Sequence, residues 1–351
     1  MQNTSQADLR VAGRPAPLGF GRVFTDQMLT MQWAQGRGWH DAQIVQRADL
    51  PLDPAAAALH YGQSLFEGLK VFRGTDGVVR VFRLDDHLRR MRDGAPRLAM
   101  PPIDVDQTRA AMLDLFKREA SWVPRERGQS LYVRPLLVAT EPFLGVRPAQ
   151  NYMLIVLLSP VGAYYERGLE ALRIWIEQDH VRASPGGLGA VKTGANYAAS
   201  LVAAARAKTN GFDQVLWLDG IQRKFAEEVG TMNFFARIGD EVITPPLSDS
   251  ILGGITRDSS LTLLRSWGVQ ASERALSVDE MVAASRAGTL QEAFGTGTAA
   301  VIAPIGELGL ADARLRLPAA PGDIASKLFN TITGIQYGDL PDTHGWLTPV
   351  S

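Results

Sequence analysis

Apolar and polar positions fall into short runs rich in β-branched and aromatic residues over 68–72, 78–82, 130–138 and 152–158, and this pattern predicts the strands of a first sheet. Between them the period changes. Residues 85–99 and 106–119 carry leucine, methionine and arginine at helical spacing, so two helices are expected and the amino-terminal part reads as α+β. Residues 161–168 hold two glycines with no clear periodicity and read as a connector. Beyond them, 172–176 and 214–218 predict strands, 197–209 an alanine-rich helix, and 231–238, 241–244 and 292–295 further strands near glycines or polar residues able to face a ligand. A chain of 351 residues exceeds the usual size of one domain. The expected division is a small α+β domain over 1–160, a connector over 161–170 and a larger mixed domain over 171–351.

Composition narrows the partners. Lys+Arg 36 nearly cancels Asp+Glu 37, giving a net charge of -1 and no electrostatic footprint for nucleic acid or an anionic membrane. A small-molecule partner is expected. Cysteine is absent, which excludes disulfides, thiolate nucleophiles and cysteine-held metal sites and fits a reducing cytoplasm. The five histidines stand far apart without an HExxH pattern, so no metal is expected. The first twenty residues lack an apolar h-region and the longest apolar run, 152–158, is too short to span a bilayer, so neither export nor membrane insertion is expected.

Chemistry enters at GGLGAVKTGANY (186–197), where Lys192 stands among four glycines ahead of Tyr197. A lysine in a tight turn is costly to bury as a cation, and a Schiff base with an aldehyde is the common use of one. Pyridoxal phosphate is the aldehyde cofactor that needs such a lysine. Taken alone, the segment reads first as a surface glycine loop. Gly186, Gly189, Lys192 and Thr193 also imitate a P-loop, but Val191 fills the position before the lysine where glycine is required, and a β-branched residue there resists positive φ. A nucleoside triphosphatase is set aside.

Such a site further needs an acid at the pyridine nitrogen, anion donors for the phosphate, a donor to the phenolate oxygen and grips for substrate carboxylates. FAEEVGTMNFF (225–235) offers Glu228 at the start of an apolar strand, able to keep the ring nitrogen protonated. GGITRD (253–258) leads into the leucine-rich stretch 259–267, and the N–H groups of Ile255 and Thr256 at a helix start form an anion site. GTGTAAV (295–301) adds the Thr298 hydroxyl and the Ala299 N–H. Any one of these is ordinary on a protein surface; their combination is not.

LFEGLKVFRG (65–74), FRLDDHLRRM (82–91), LYVRP (131–135), EPFLGV (141–146), KTGANY, EEVGTMN and GTAAV follow one another in an order that resembles the branched-chain amino-acid aminotransferases, fold type IV pyridoxal phosphate enzymes, over nearly the whole chain. The resemblance implies their two-domain architecture, mixed α+β and α/β and similar to D-amino-acid aminotransferase. It implies Lys192 as Schiff-base lysine and proton shuttle, Glu228 as pyridine partner, Tyr197 as phenolate donor, and Arg90 as a phosphate anchor together with Ile255, Thr256 and Thr298. For substrate it implies an apolar pocket of Phe20, Tyr61, Phe66, Tyr132, Val146 and Tyr164, with Thr231 also on the substrate side. Arg134 faces the distal carboxylate of glutamate, and Thr298 and Ala299 meet the α-carboxylate. One pocket must accept leucine, isoleucine and valine by area burial and glutamate by a charge-assisted pair, and an arginine at an aromatic rim suits both.

The reaction implied is ping-pong transfer of the amino group from L-leucine, L-isoleucine or L-valine to 2-oxoglutarate, in a homodimer in which a partner's loop completes each pocket. TAAVIAP carries Ala300 and Ala303 where some relatives have a redox-sensitive CxxC, so thiol regulation is not expected. Two alternatives stand beside this reading. One is another fold type IV enzyme, a D-amino-acid aminotransferase or an aminodeoxychorismate lyase, against which LYVRP and EGLKVFRG argue. The other is a non-catalytic cofactor-binding protein, against which the joint presence of Lys192, Glu228 and Tyr197 argues.

Overall fold

A computed structural model describes residues 18–162, 169–311, 313–318 and 320–350. The chain divides into two compact units, Met1–Glu166 with Gly334–Ser351, and Arg167–Thr333. Among the described residues no helix is long and apolar enough to cross a membrane.

The first unit begins with a hairpin, β1 (Gln27–Ala34) and β2 (Gly38–Gln46), followed by a short helix α1 (Ala57–Tyr61) and strands β3 (Ser64–Phe66), β4 (Leu69–Arg73) and β5 (Val79–Phe82). Helices α2 (Leu84–Gly94) and α3 (Val105–Arg118) come next, then the long strands β6 (Ser130–Ala139) and β7 (Asn151–Val161). The sheet runs β5–β4–β6–β7–β1–β2 with β3 on β6, antiparallel throughout. Helix α2 stops at Gly94 rather than continuing to residue 99, because Pro96 cannot continue the ladder and a single 3-10 turn, Ala95–Leu98, takes over. Asp104 starts α3 by accepting the Gln107 N–H at 2.9 Å. Leu69, Val71, Leu84, Leu88, Met112, Leu115, Phe116 and Val133 are essentially water-free and form the core.

The second unit opens with β8 (Leu172–Ile176), α4 (Gly194–Thr209), β9 (Gln214–Leu218), β10 (Ala226–Val229), β11 (Met232–Ile238) and β12 (Glu241–Thr244). It continues with α5 (Ile255–Ser266), β13 (Gln270–Glu273), α6 (Val278–Arg286), β14 (Leu290–Gly297), β15 (Val301–Gly309), β16 (Arg314–Arg316) and α7 (Asp323–Tyr337). Its sheet runs β10–β9–β8–β15–β14–β11–β12–β13, and β10 also pairs with β11, so β8, β9, β10, β11, β14 and β15 close into a ring from which β12 and β13 extend. Parallel β8–β9 and β15–β8 pairs sit within this otherwise largely antiparallel ring. Trp217, Phe234, Phe235 and Phe294 are fully buried, the last two stacked 5.2 Å apart, and burying each such side chain contributes roughly 1.5–3 kcal/mol. Ala203 and Ala207 of α4 pack on Phe212, Val215 and Trp217, which fixes the helix that leaves the lysine loop.

The division departs from the expected one at the end of the chain. Residues from Gly334 onward belong to the first unit, where β17 (Leu347–Pro349) pairs with β5. The expected connector falls largely on 163–168, outside the described residues.

Candidate active site

Glu228 is placed by strand geometry. Val229 and Met232 face each other across Gly230 and Thr231, and Gly230 alone of the two turn residues has positive φ, as a two-residue type II′ hairpin requires. The Trp217 indole donates to the Gly230 carbonyl at 2.9 Å and holds this turn down. Upstream, the β10–β9 register slips between Ala226 and Glu228, a bulge that makes Glu227 the extra residue. Both carboxylates then reach the 248–252 segment: Glu227 accepts from the Ser250 hydroxyl, and Glu228 Oε1 accepts from the Leu252 N–H at 2.8 Å. Burial pushes the Glu228 carboxyl above its ordinary range, opposed by the charges of Arg182 and Lys192 and by the Leu252 N–H.

Lys192 follows a turn that Asn196 ties together, its side-chain amide donating to the carbonyls of Leu188 and Val191 at 2.7 and 2.8 Å. The same turn packs backbone on backbone: a Cβ on Gly189 would lie 2.4 Å from the Ser250 Cα. Lys192 Nζ then reaches the Tyr197 hydroxyl at 2.9 Å, one helical turn into α4. Lys192, Tyr197, Glu228 and Thr231 line one pocket with Arg182, Asn196 and Leu252. Four of the residues expected from the sequence thus converge.

The expected anion donors stand at two adjoining positions. Helix α5 begins at Ile255, and Gly254 before it supplies no capping side chain to its first N–H groups. A Cβ on Gly254 would lie 1.9 Å from Asn233 Oδ1, and Asn233 donates to the Leu252 carbonyl at 2.8 Å, so the helix start is locked to the strand that faces Glu228. Thr298 and Ala299 occupy the turn between β14 and β15, which closes on Val301 at φ 63. A left-handed β-branched residue is strained, by about 1–3 kcal/mol. Glu228, Asn233 and Thr296 form one cross-strand row, and the Thr296 hydroxyl, though buried, has no partner among the described residues.

The remaining expected residues belong to the first unit. The Arg134 guanidinium lies 4.7 Å from the Phe66 ring centre and 5.4 Å from that of Tyr132, and it donates to the Tyr132 hydroxyl at 3.0 Å. Phe20 meets Tyr132 edge-on at 4.8 Å. Gly68 is required beside them, because a Cβ there would lie 2.0 Å from the Tyr132 hydroxyl oxygen. Tyr61 donates to the Leu144 carbonyl, which joins it to the loop after β6 rather than to the aromatic cluster. Val146, expected at the side-chain pocket, lies on that loop and is 85% exposed on its own chain. Tyr164 lies outside the described residues.

Arg90 is not the solvated face residue that its basic neighbours suggest. Its Nε and a terminal nitrogen bind the two oxygens of Glu67 at 2.7 and 2.8 Å, and Glu67 also meets His87 Nδ1 at 2.9 Å. Burial works against the Glu67 charge, but the Arg90 charge and the bonds from His87 and Arg90 outweigh it and hold the carboxyl far below its ordinary range.

Three residues escaped sequence reading: Arg182, whose Nε is 3.0 Å from Glu228 Oε2, Asn233 and Glu67. EEVGTMN contains Asn233 and LFEGLKVFRG contains Glu67, so the motifs flagged their neighbourhoods without their roles. A hydrogen-bonded lysine–tyrosine couple, a buried carboxylate, a helix start without a side-chain cap and close-packed glycines fit a phosphorylated pyridine aldehyde.

Comparison with known proteins agrees. The model of the amino-transferase class IV family matches residues 64–308. Branched-chain-amino-acid aminotransferase 2 of Bacillus subtilis (strain 168) is 47% identical over 355 residues, covering 100% of this chain and 98% of that protein. The branched-chain aminotransferase of Thermoproteus uzoniensis, solved with norvaline, superposes with a TM-score of 0.77 at 25% identity, covering 93% of this chain and 100% of that one. The branched-chain amino acid aminotransferase of Escherichia coli gives a TM-score of 0.74 at 26% identity over 92% of this chain and 99% of its own. Another branched-chain amino acid aminotransferase, solved with pyridoxamine 5'-phosphate, gives a TM-score of 0.76 at 26% identity over 92% of this chain and 98% of its own.

Proposed function

This chain belongs to the class IV amino-transferases and, by its full-length relatives, to their branched-chain-amino-acid members, and from that premise we propose how its residues carry the reaction. It transfers the amino group of L-leucine, L-isoleucine or L-valine to 2-oxoglutarate with pyridoxal 5'-phosphate, giving branched-chain 2-oxo acids and L-glutamate. Bound to the chain, the cofactor supplies an aldehyde for a primary amine and a ring that takes up the electrons left when an α-proton departs. The observation that carries the assignment of roles is the 2.9 Å contact of Lys192 with Tyr197 in a pocket shared with Glu228.

Lys192 would hold the cofactor through its side-chain amine, and the same amine is the group placed to carry the α-proton. Tyr197 orients that amine and donates to the phenolate oxygen. Glu228 keeps the ring nitrogen protonated. The Ile255 and Thr256 N–H groups and the Thr298 hydroxyl hold the phosphate, with Arg90 as a further anchor oriented by Glu67. Thr298 and Ala299 bind the α-carboxylate, and Thr231 lies on the substrate side. Phe20, Tyr61, Phe66 and Tyr132 enclose the side chain, the resemblance assigns Tyr164 to the same pocket, and Arg134 answers the distal carboxylate of glutamate.

The active form is a cytoplasmic homodimer. Val146 supports this reading, since it is exposed on its own chain and suits a partner's pocket, as do Leu201 and Val202, exposed on α4. The alternatives, a D-amino-acid aminotransferase, an aminodeoxychorismate lyase or a non-catalytic cofactor binder, are not favoured by relatives that match end to end. Lys192→Ala should abolish leucine–2-oxoglutarate transamination while the protein stays folded by circular dichroism. Near-normal turnover in that variant would remove Lys192 from the reaction.

A further inference from the structure

Glu228 is gripped from two sides. Arg182, 9% exposed at its side chain, places Nε 3.0 Å from Oε2, while the Leu252 N–H meets Oε1 at 2.8 Å and Asn233 Nδ2 stands 3.5 Å from the same oxygen. Arg182 is itself fixed, donating through a terminal nitrogen to the carbonyls of Ser250 and, at 3.4 Å, Gly189. The carboxylate is therefore held from both sides, and the buried cation within hydrogen-bond distance of it is itself tied to two backbone carbonyls.

We propose that Arg182 is a positioning residue that keeps Glu228 ionised and aimed, so that a proton shared between this carboxylate and a pyridine nitrogen rests on the nitrogen. The inference rests on the reading of Glu228 as the pyridine partner. A proton shared between an acid and a base lies in either an ion pair or a neutral pair. A cation bonded to the acid is nearer the negative end of the ion pair than the positive end, and so favours the ion pair. Without it burial would decide, because desolvation pushes the Glu228 carboxyl up and Glu227 adds to that rise. Lys192 is the other cation opposing the rise, and it is committed to the cofactor. An arginine is suited to this task, since its charge survives burial where that of a lysine is readily lost.

The test is the 15N chemical shift of ring-15N-labelled pyridoxal 5'-phosphate bound to the holoenzyme. The unmodified protein should show a protonated nitrogen. Arg182→Met should move the signal toward the unprotonated position, with the pH of proton loss falling by about one unit, a tenfold change. Arg182→Lys should recover only part of it, because a lysine ammonium buried there loses its charge more readily than a guanidinium. If Arg182→Met does not fold because Glu228 is left as an unpaired buried charge, the Glu228→Gln/Arg182→Met double variant removes both charges. Its signal should match that of Glu228→Gln alone, and a further shift would overturn the proposal. Protonation lost in Glu228→Gln but kept in Arg182→Met, even with weaker cofactor binding, overturns the role of Arg182 and leaves it a strut of the loop. Protonation kept in Glu228→Gln overturns the parent reading, and this one with it.

Discussion

Replacing Gly189 with alanine should injure the lysine pocket through backbone displacement alone. The added Cβ would lie 2.4 Å from the Ser250 Cα and 2.5 Å from its carbonyl carbon and oxygen, whereas ordinary contact begins at 3.4 Å. One segment must therefore retreat by roughly 1 Å, and main-chain atoms cannot rotate aside as the end of a side chain can. Overpacking of this kind costs about 1–3 kcal/mol. The φ of Gly189 is not positive, so no conformational penalty is added to the steric one. Displacement on the 189 side moves the turn that leads to Lys192; on the 250 side it moves the segment that carries the Leu252 N–H, and a retreat of that size takes its 2.8 Å contact with Glu228 out of hydrogen-bond range. A bond to a charged group is worth about 1.5–3 kcal/mol, so cofactor affinity should fall by about tenfold to a hundredfold. Thermal unfolding of the apoprotein reads the first effect and fluorescence titration with pyridoxal 5'-phosphate the second. Gly253→Ala is the control for stability, because its nearest neighbour, Leu247 Cδ1, would be 3.8 Å away and the substitution should be neutral or slightly stabilising. If Gly189→Ala matched the unmodified protein in both measurements, the close approach of residues 189 and 250 would be refuted.

Two further outcomes follow from the first unit. Arg134→Ala should depress the half-reaction with glutamate roughly thirtyfold more than that with leucine, since only glutamate loses a charge-assisted pair of about 2 kcal/mol. Single-turnover kinetics distinguish this from equal losses, which would mean that Arg134 mainly supports Phe66 and Tyr132. Lys70, buried in β4, is held down to about 8 by desolvation, from an ordinary 10.5. Between those values the unfolded chain binds a proton that the folded chain does not, so this residue makes stability rise with pH, by up to about 1.4 kcal/mol per unit. Urea unfolding over that window should show the increment in the unmodified protein and not in Lys70→Met; parallel pH curves would contradict it.

Local pattern carried much of the fold. β8, β9 and β12 begin and end where their apolar runs do, because short buried strands are bounded by the polar and glycine residues that expose their ends. The β1–β2 hairpin was not legible: its second strand is mostly half-buried or exposed, and glutamine, histidine and tryptophan blur the alternation. Within the site, Lys192 and Tyr197 lie close in sequence and could be read as a unit. Arg182 could not, since its relation to Glu228 depends on a bulge and a turn that bring distant segments together. Arg90 shows the converse, where neighbouring arginines suggest a solvated face and a buried carboxylate from the link between β3 and β4 decides otherwise.

The return of the last strand to the first sheet sets an order on biogenesis. β17 pairs with the edge of β5, and the Arg83 N–H is met by the Trp346 carbonyl at 2.6 Å. A ribosome delivers β5 early and β17 only after the entire second unit has emerged. Throughout that interval the nascent sheet presents an unpaired edge, the kind of surface that recruits foreign strands. The second unit, continuous in the chain, has no such wait. A nascent chain stalled before β17 should therefore be more vulnerable to aggregation and protease in its older half than in its younger one.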